Sequence, residues 1–390
     1  MNDLKQIYRK HLSEMCLKFP TYHTASPGER DRADYIERTF RSYGLKTRRE
    51  AYPVRGWDFR SFSFRDVTTG KEIPQAVCEY FSGSVDFEGK LTVVTPDQVA
   101  EVETLELSGK VIFFTGSLGT FENGDFAEKL EALGAKAVIF THTRPEIGAP
   151  HTKLVRSPYI RTIATCCVGP MGAAYLSANL DRTYRLTVDA APYDTVSENI
   201  VGFVEGDSTK VVFGAHYDSA PNTQGAGDNA SGTAILLEMS RLMKDRGCGH
   251  TMEFVAFTAE EYCERPQPGT WAGAKGSRTY VDMHKEENIA CYINFDDYCH
   301  SPLFAPEKLY VGRIENLPGI RWPGEPNGPC LSSDDVNFYH AGFPVVHLGQ
   351  LKSIRMLHTV HDDIDYIDFN AMAAVTGKYL DIAAQLLENL

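Results

Sequence analysis

The chain reads as an α/β protein: a mostly parallel mixed sheet sandwiched by helices, with an inserted smaller, β-rich α+β segment. Three observations carry this. Apolar strand-like runs alternate with helical stretches through the second half of the chain. The 390 residues are 43% hydrophobic and 23% charged, enough to bury a sizeable core. Between Pro53 and Pro192 the texture shifts to short strands and turns. Near-continuous apolar strands between helices imply a sheet covered on both faces.

Taken in order, the N-terminus is charged from its third residue and sets Leu4, Ile7, Tyr8, His11, Leu12 and Met15 at helical spacing. It is expected to be an amphipathic helix of the fold, not a signal peptide. A second helix opens at Ser26, with Pro27 in its first turn and Glu29 closing a capping box. Ala33, Ile36 and Phe40 form its apolar face, and Gly44 ends it. The runs "FRDVTTGKEI", "KLTVVTPDQ" and "GKVIFFTGS" then read as short strands, and "NGDFAEKLEALG" as a helix leading into the strand "AKAVIFTH". Residues 53–192 are therefore expected to form a separate small domain, inserted into one built from 1–52 and 193–390. In that larger part "KVVFGAHYD", "MEFVAFTAEE", "ACYINFDDY" and "PVVHLG" are strands; "NASGTAILLEMSRLMKDRG" and the last 20 or so residues are helices.

A net charge of −13 without a basic stripe argues against nucleic acid or an anionic membrane as partner. The longest apolar runs fall far short of a membrane span. Nine cysteines without a CxxC motif point to reduced thiols and a cytoplasmic home, with adjacent Cys166 and Cys167 as packing residues.

Ligands of open α/β sheets sit outside the carboxyl ends of the strands. Those ends collect His216 and Asp218, Asp228 in the following loop, Glu260 and Glu261, Asp296, and finally His358. Five acids in one crevice would repel one another, and one or two divalent cations relieve this. Imidazole and carboxylate without thiolate suits zinc, cobalt or manganese in a hydrolytic site. Asp218 is placed to accept the second ring N–H of His216. Glu260 and Glu261 point in different directions, so either they are a solvated loop start or each has its own task. Glu286–Glu287, Asp334–Asp335 and Asp362–Asp363 are acidic pairs too, so it is the combination of strand ends that carries the reading. "GAGDNASG" lacks the GxGxxG spacing and a P-loop lysine.

In order and spacing, "GAHYDS", "GAGDNASG", "TAEE", "NFD" and "LHTVHDD" resemble the motifs of the co-catalytic zinc exopeptidases. That family includes bacterial leucyl aminopeptidases, glutamate carboxypeptidase II and the transferrin receptor ectodomain. The stretch from "LSGKVIFF" to "AKAVIFTH" resembles the protease-associated domain that several members carry. The resemblance implies two zinc ions bridged by Asp228, one completed by His216 and Asp296, the other by Glu261 and His358. Glu260 would be the general base, taking a proton from water and passing it to the leaving amine. A cis peptide would follow Asp228. The implied substrate is a peptide, cut at its N-terminus; homo-oligomerisation stays open.

The chain departs from the family in places. The path "EEYCERPQPGTWAGAKGS" after the two glutamates is longer than usual, and Leu357 stands where many members have a carbonyl-polarising tyrosine. Tyr217, Tyr298 or Tyr339 could replace it, or the metals suffice. His361 competes with His358, which better fits a His-Thr-x-x-Asp spacing with Asp362. His250, His284, His300, His340 and His347 are read as structural. "CLSSDDVNFYHAGFPVVHL" is read as support rather than a ligand source. Alternatives are a carboxypeptidase, for which Arg313 and Arg321 would be candidate carboxylate binders, a single-zinc glutaminyl cyclase-like acyltransferase, and a non-catalytic binding protein.

Overall fold

The computed structural model describes residues 2–18, 22–116, 120–141, 143–144, 149–150, 163–221, 223–246, 249–262, 273–296, 307–349 and 357–390. The loop after Glu261 (263–272, including Trp271), Tyr298 and His300 lie outside them.

The large sheet is mixed. Its central strands Thr251–Phe257, Thr209–His216, Asn288–Asn294 and Val345–Gly349 run parallel in that spatial order. Lys308–Gly312 adds antiparallel to Val345–Gly349. On the other side Ile200–Val204 pairs antiparallel with Thr251–Phe257. The parallel strands are buried along nearly their whole length, which is why they read as unbroken apolar runs.

Alternate strand residues serve opposite faces. Val211, Phe213, Phe254, Ile293 and Val346 pack with helices Asn2–Leu12, Pro27–Ser42, Gly232–Met243 and Phe369–Asn389. Val212, Val255, Phe257, Tyr292 and Val345 face Tyr280 and Val281 of helix Lys275–His284 and Phe338 of helix Asp335–His340. The sheet is thus a layer between two helical layers.

Helix Pro27–Ser42 starts as its sequence directs. Ser26 Oγ accepts from Glu29 N at 3.1 Å, and Glu29 Oε2 accepts from Ala25 N at 2.8 Å, one residue upstream of a standard capping box. The N-terminal helix continues into a π-turn at Ser13–Leu17 that buries Met15 and Cys16.

The largest departure from the sequence reading is a two-stranded ribbon. Lys46–Asp66 pairs with Tyr184–Val204 throughout, interrupted only by an irregularity between Phe59 and Ser61. Positions 53 and 192 lie inside these continuous strands, where Pro53 is opposite Val196 and Trp57 opposite Pro192. Beyond the ribbon lies a second sheet of five strands in the order Ala76–Cys78, Ala164–Val168, Ala137–Phe140, Val111–Phe114, Thr92–Val94. The strand–helix–strand unit expected there is present: Val111–Phe114 and Ala137–Phe140 are parallel neighbours joined through helix Thr120–Ala132.

Candidate metal centre

Three adjacent parallel strands deliver most of the site. His216 ends its strand opposite Phe257, and Gly214 of the same strand pairs with Asn294. Glu260 and Glu261 follow Phe257, and Asp296 follows Asn294, so all four reach the same edge. Asp228 comes from the π-turn Ala226–Ser231 that opens helix Gly232–Met243. His358 comes from the segment after the fourth parallel strand.

The Asp228 turn is held on several sides. The Asp228–Asn229 peptide is cis. Asn229 Nδ2 donates to Phe295 O at 2.9 Å, while its Oδ1 accepts from Gly232 N at 3.0 Å. Asp362 accepts from Gly227 N at 2.6 Å and Asp228 N at 3.1 Å. A Cβ at Gly232 would fall 2.1 Å from the Phe295 carbonyl oxygen, so only glycine lets this turn approach the Asp296 strand.

The Asp218 carboxylate accepts from Glu260 N and Glu261 N, each at 3.1 Å, and from Thr24 Oγ1 at 3.0 Å. The ring of His216 turns instead to the Asp218 backbone, its Nδ1 lying 3.1 Å from that carbonyl oxygen and 3.5 Å from the carboxylate. Asp218 therefore orients His216 through its main chain and both glutamates through its side chain. Ala259 and His358 occupy the left-handed backbone region, with φ of 57° and 56°. Such conformations persist where surrounding bonds impose them, as at binding sites.

The geometry divides into two clusters. His216 Nε2 lies 3.1 Å from Asp228 Oδ1 and 3.4 Å from Asp296 Oδ1. His358 Nε2 lies 3.1 Å from Asp228 Oδ2 and 3.0 Å from Glu261 Oε1. The two oxygens of Asp228 thus belong to different clusters, and each trio could hold a metal ion. His358, not His361, makes the approach.

The donors fit a cation. With Nδ1 of His216 directed at a backbone carbonyl, its Nε2 is buried without a hydrogen bond and faces two carboxylate oxygens, and a bound cation would take it as a lone-pair donor. A tetrahedral zinc with bonds of about 2.0–2.2 Å would separate its ligand atoms by about 3.4 Å, close to what is found. In the cluster itself, burial would push the His216 pKa down, but Asp296, Asp218 and Asp228 outweigh it and hold the ring well above its ordinary value. Burial opposes ionisation of Asp228, yet His216 and His358 keep it well below the usual carboxylate range.

Some supports were not singled out from sequence. Ser333 Oγ donates to Asp296 Oδ2 and accepts from Asn294 Nδ2; it lies in the block read as structural support. Thr233 Oγ1 donates to His216 O at 2.8 Å. Of the tyrosines considered in place of Leu357, Tyr217 is buried with its hydroxyl donating to Glu198 O at 2.7 Å. Arg313 donates to Tyr339 O and stacks on that ring, 5.0 Å from its centroid. Arg321 lines a surface cavity with Lys378, Asp381 and Gln385 of the C-terminal helix.

Comparison with known proteins converges on one family. The model of peptidase family M28 matches residues 199–301, which carry His216, Asp228, Glu260, Glu261 and Asp296. Aminopeptidase YwaD of Bacillus subtilis is 28% identical over 288 residues, covering 68% of this chain and 59% of its own length. The chain therefore spans less than two thirds of that relative. Among solved structures, BSAP, a zinc aminopeptidase from Bacillus subtilis, superposes with a TM-score of 0.74 at 21% identity, covering 99% of this chain and 94% of that one. The aminopeptidase from Aneurinibacillus sp. strain AM-1 gives 0.67, also at 21% identity, over 98% and 93%. Strand-end acids in this order, a family model matching the segment that carries most of them and a fold shared end to end point the same way: the chain is similar to the zinc aminopeptidases and, over residues 199–301, to peptidase family M28.

Proposed function

We propose that the chain is a two-zinc aminopeptidase that removes N-terminal residues from peptides, with cobalt or manganese as substitute ions. One observation carries this: Asp228 offers one oxygen to His216 and the other to His358. His216 and Asp296 would hold one ion, Glu261 and His358 the other, and Asp228 both. Bound there, the pair supplies Lewis-acid chemistry, acidifying water and polarising a carbonyl.

The chain's own residues do the rest. Glu260 is buried beside the Glu261 ligand, its backbone fixed by the Asp218 carboxylate. It takes a proton from the attacking water and returns it to the leaving amine. Asp218 is a positioning residue for both glutamates and for His216. The occupied state of Arg313 supports the aminopeptidase reading over a carboxypeptidase, which needs a cation for the terminal carboxylate. A full set of ligands supports catalysis over a purely binding role, and two clusters rather than one support a peptidase over a single-zinc acyltransferase.

Residues 53–192 are read as an inserted protease-associated domain that borders substrate access. No helix among the described residues is long and apolar enough to cross a membrane. Among the described residues, Cys16, Cys166, Cys291 and Cys330 are buried free thiols, which supports a reducing, cytoplasmic setting.

A panel of N-terminally free and N-acetylated peptides, assayed with the zinc-loaded protein, tests the proposal. Free peptides are cleaved from the N-terminus and blocked ones are not. Equal cleavage of both, or release from the C-terminus, overturns the aminopeptidase assignment.

A further inference from the structure

A second kind of donor cluster lies on the far side of Asp296. Cys330 in a loop, Asp335 at the start of helix Asp335–His340 and His347 inside strand Val345–Gly349 bring Sγ, a carboxylate oxygen and a ring nitrogen within 4.8 Å of one another. Cys330 is 3% exposed; Asp335 and His347 are fully buried. Neither Asp335 oxygen has a hydrogen-bond partner, and neither has His347 Nδ1.

The tautomer sharpens this. His347 Nε2 is 3.0 Å from the backbone oxygen of Asp296, so the proton sits on Nε2 and donates there. Nδ1 is then a lone pair aimed toward Asp335 Oδ2, 4.0 Å away. A lone pair, a carboxyl group without a hydrogen-bond partner and a sulfur facing one another in a dry interior are left unsatisfied until a proton or a cation lies between them. Gly349 keeps the ring in place, because a Cβ there would come 2.7 Å from His347 Nε2. The arrangement is built, not incidental: loop, helix and strand each contribute one donor.

We propose that Cys330, Asp335 and His347 form a third, structural cation site, separate from the two-ion centre, that takes a thiolate-binding divalent metal such as zinc or cobalt. Sulfur with imidazole and carboxylate selects zinc or cobalt over magnesium or calcium. Binding displaces the thiol proton to solvent, and thiolate plus carboxylate neutralise the dication. The ion would lock His347, whose Nε2–H anchors the main chain of Asp296. The site shares no ligand with the two clusters joined by Asp228.

The test uses the full chain and the metals alone. Purified protein is loaded with zinc and its metal content measured, for wild type, Cys330→Ser and Asp335→Asn. Each variant is expected to hold one equivalent less than wild type. Cobalt loading should give a near-ultraviolet thiolate-to-cobalt charge-transfer band, a signature the oxygen and nitrogen donors of the Asp228 centre do not produce. That band should vanish in Cys330→Ser and survive in His358→Ala, which separates this site from failure of the peptidase centre. Unchanged stoichiometry in both folded variants, or a band that persists in Cys330→Ser, overturns the proposal and leaves Asp335 as a buried carboxylic acid.

Discussion

Replacing Asp218 with asparagine probes how the two glutamates are aimed. In the native protein the one carboxylate of Asp218 caps the N–H groups of both Glu260 and Glu261, each at 3.1 Å, in a fully buried position. An asparagine oxygen can serve only one of them; its NH2 opposes the other, donor against donor. Losing a hydrogen bond to a charged acceptor costs about 1.5–3 kcal/mol, and a buried N–H left unsatisfied costs a similar amount. Since both describe the same broken contact, the net local destabilisation is about 2–3 kcal/mol, or about 30–150-fold in an opening equilibrium. Hydrogen exchange followed by mass spectrometry on a peptide covering Thr258–Tyr262 reads that equilibrium directly, without assuming that the whole chain unfolds in one step. Exchange should accelerate by that factor at Glu260 or Glu261 and stay constant in the distant ribbon. Turnover should fall in parallel while bound zinc is retained. Unchanged exchange at both amides would refute the assignment of Asp218 as their common anchor.

Other changes separate roles or test packing. Glu260→Gln should reduce kcat by at least about 10²-fold with metal content intact, as for loss of a general base, whereas Glu261→Gln should lose metal; metal analysis beside kinetics tells them apart. Tyr379→Phe removes a buried hydroxyl that bonds Asn294 O and Leu348 O and accepts from Leu348 N, across two neighbouring strands. It should lower local stability by about 1–3 kcal/mol, read as faster exchange at Leu348. Burial pushes Glu29 up to about 8 against the opposing bonds from Thr258, Ala25 and Ser197. Between its ordinary value of 4.5 and about 8 the unfolded chain binds fewer protons than the folded one, so this group's contribution falls as pH rises. The stability of wild type relative to Glu29→Gln should decline over that window and level off on either side. A flat difference would show Glu29 to be ionised in the folded protein.

Much of this was legible because parallel strands leave strong traces. A strand buried on both faces must be apolar, so a run such as "KVVFGAH" followed by acids announces both the sheet and its functional edge. Adjacent glutamates, and a histidine two residues before an aspartate, could be placed on that edge by counting alone. The role of the Asp218 side chain could not, because its partners are backbone N–H groups, which every residue has. Nor could the length of the ribbon: its alternating, half-exposed pattern is interrupted by Pro53 and Pro192, which read as breaks but sit within the paired strands. Cys330, Asp335 and His347 escaped for a different reason. They stand on three different elements, so no short spacing links them, and only folding brings the sulfur, the oxygen and the nitrogen together.

The ribbon has a consequence for how such a chain can change. It leaves at Asp66 and comes back at Tyr184, directly opposite, with Val67 N still bonded to Thr183 O at 2.9 Å. Val67 to Thr183 is inserted between the two ribbon strands, and within it Val85–Gly89 adds antiparallel to Tyr184–Val188. Trimming that insert to a few residues, or grafting foreign cargo onto the two stumps, need not alter a single strand pairing among the four parallel strands that carry the acids. The acid-bearing end is nevertheless not indifferent to what is inserted there: Phe81 packs edge-on against Tyr262, the residue after Glu261, and Tyr80 donates to Thr24 O.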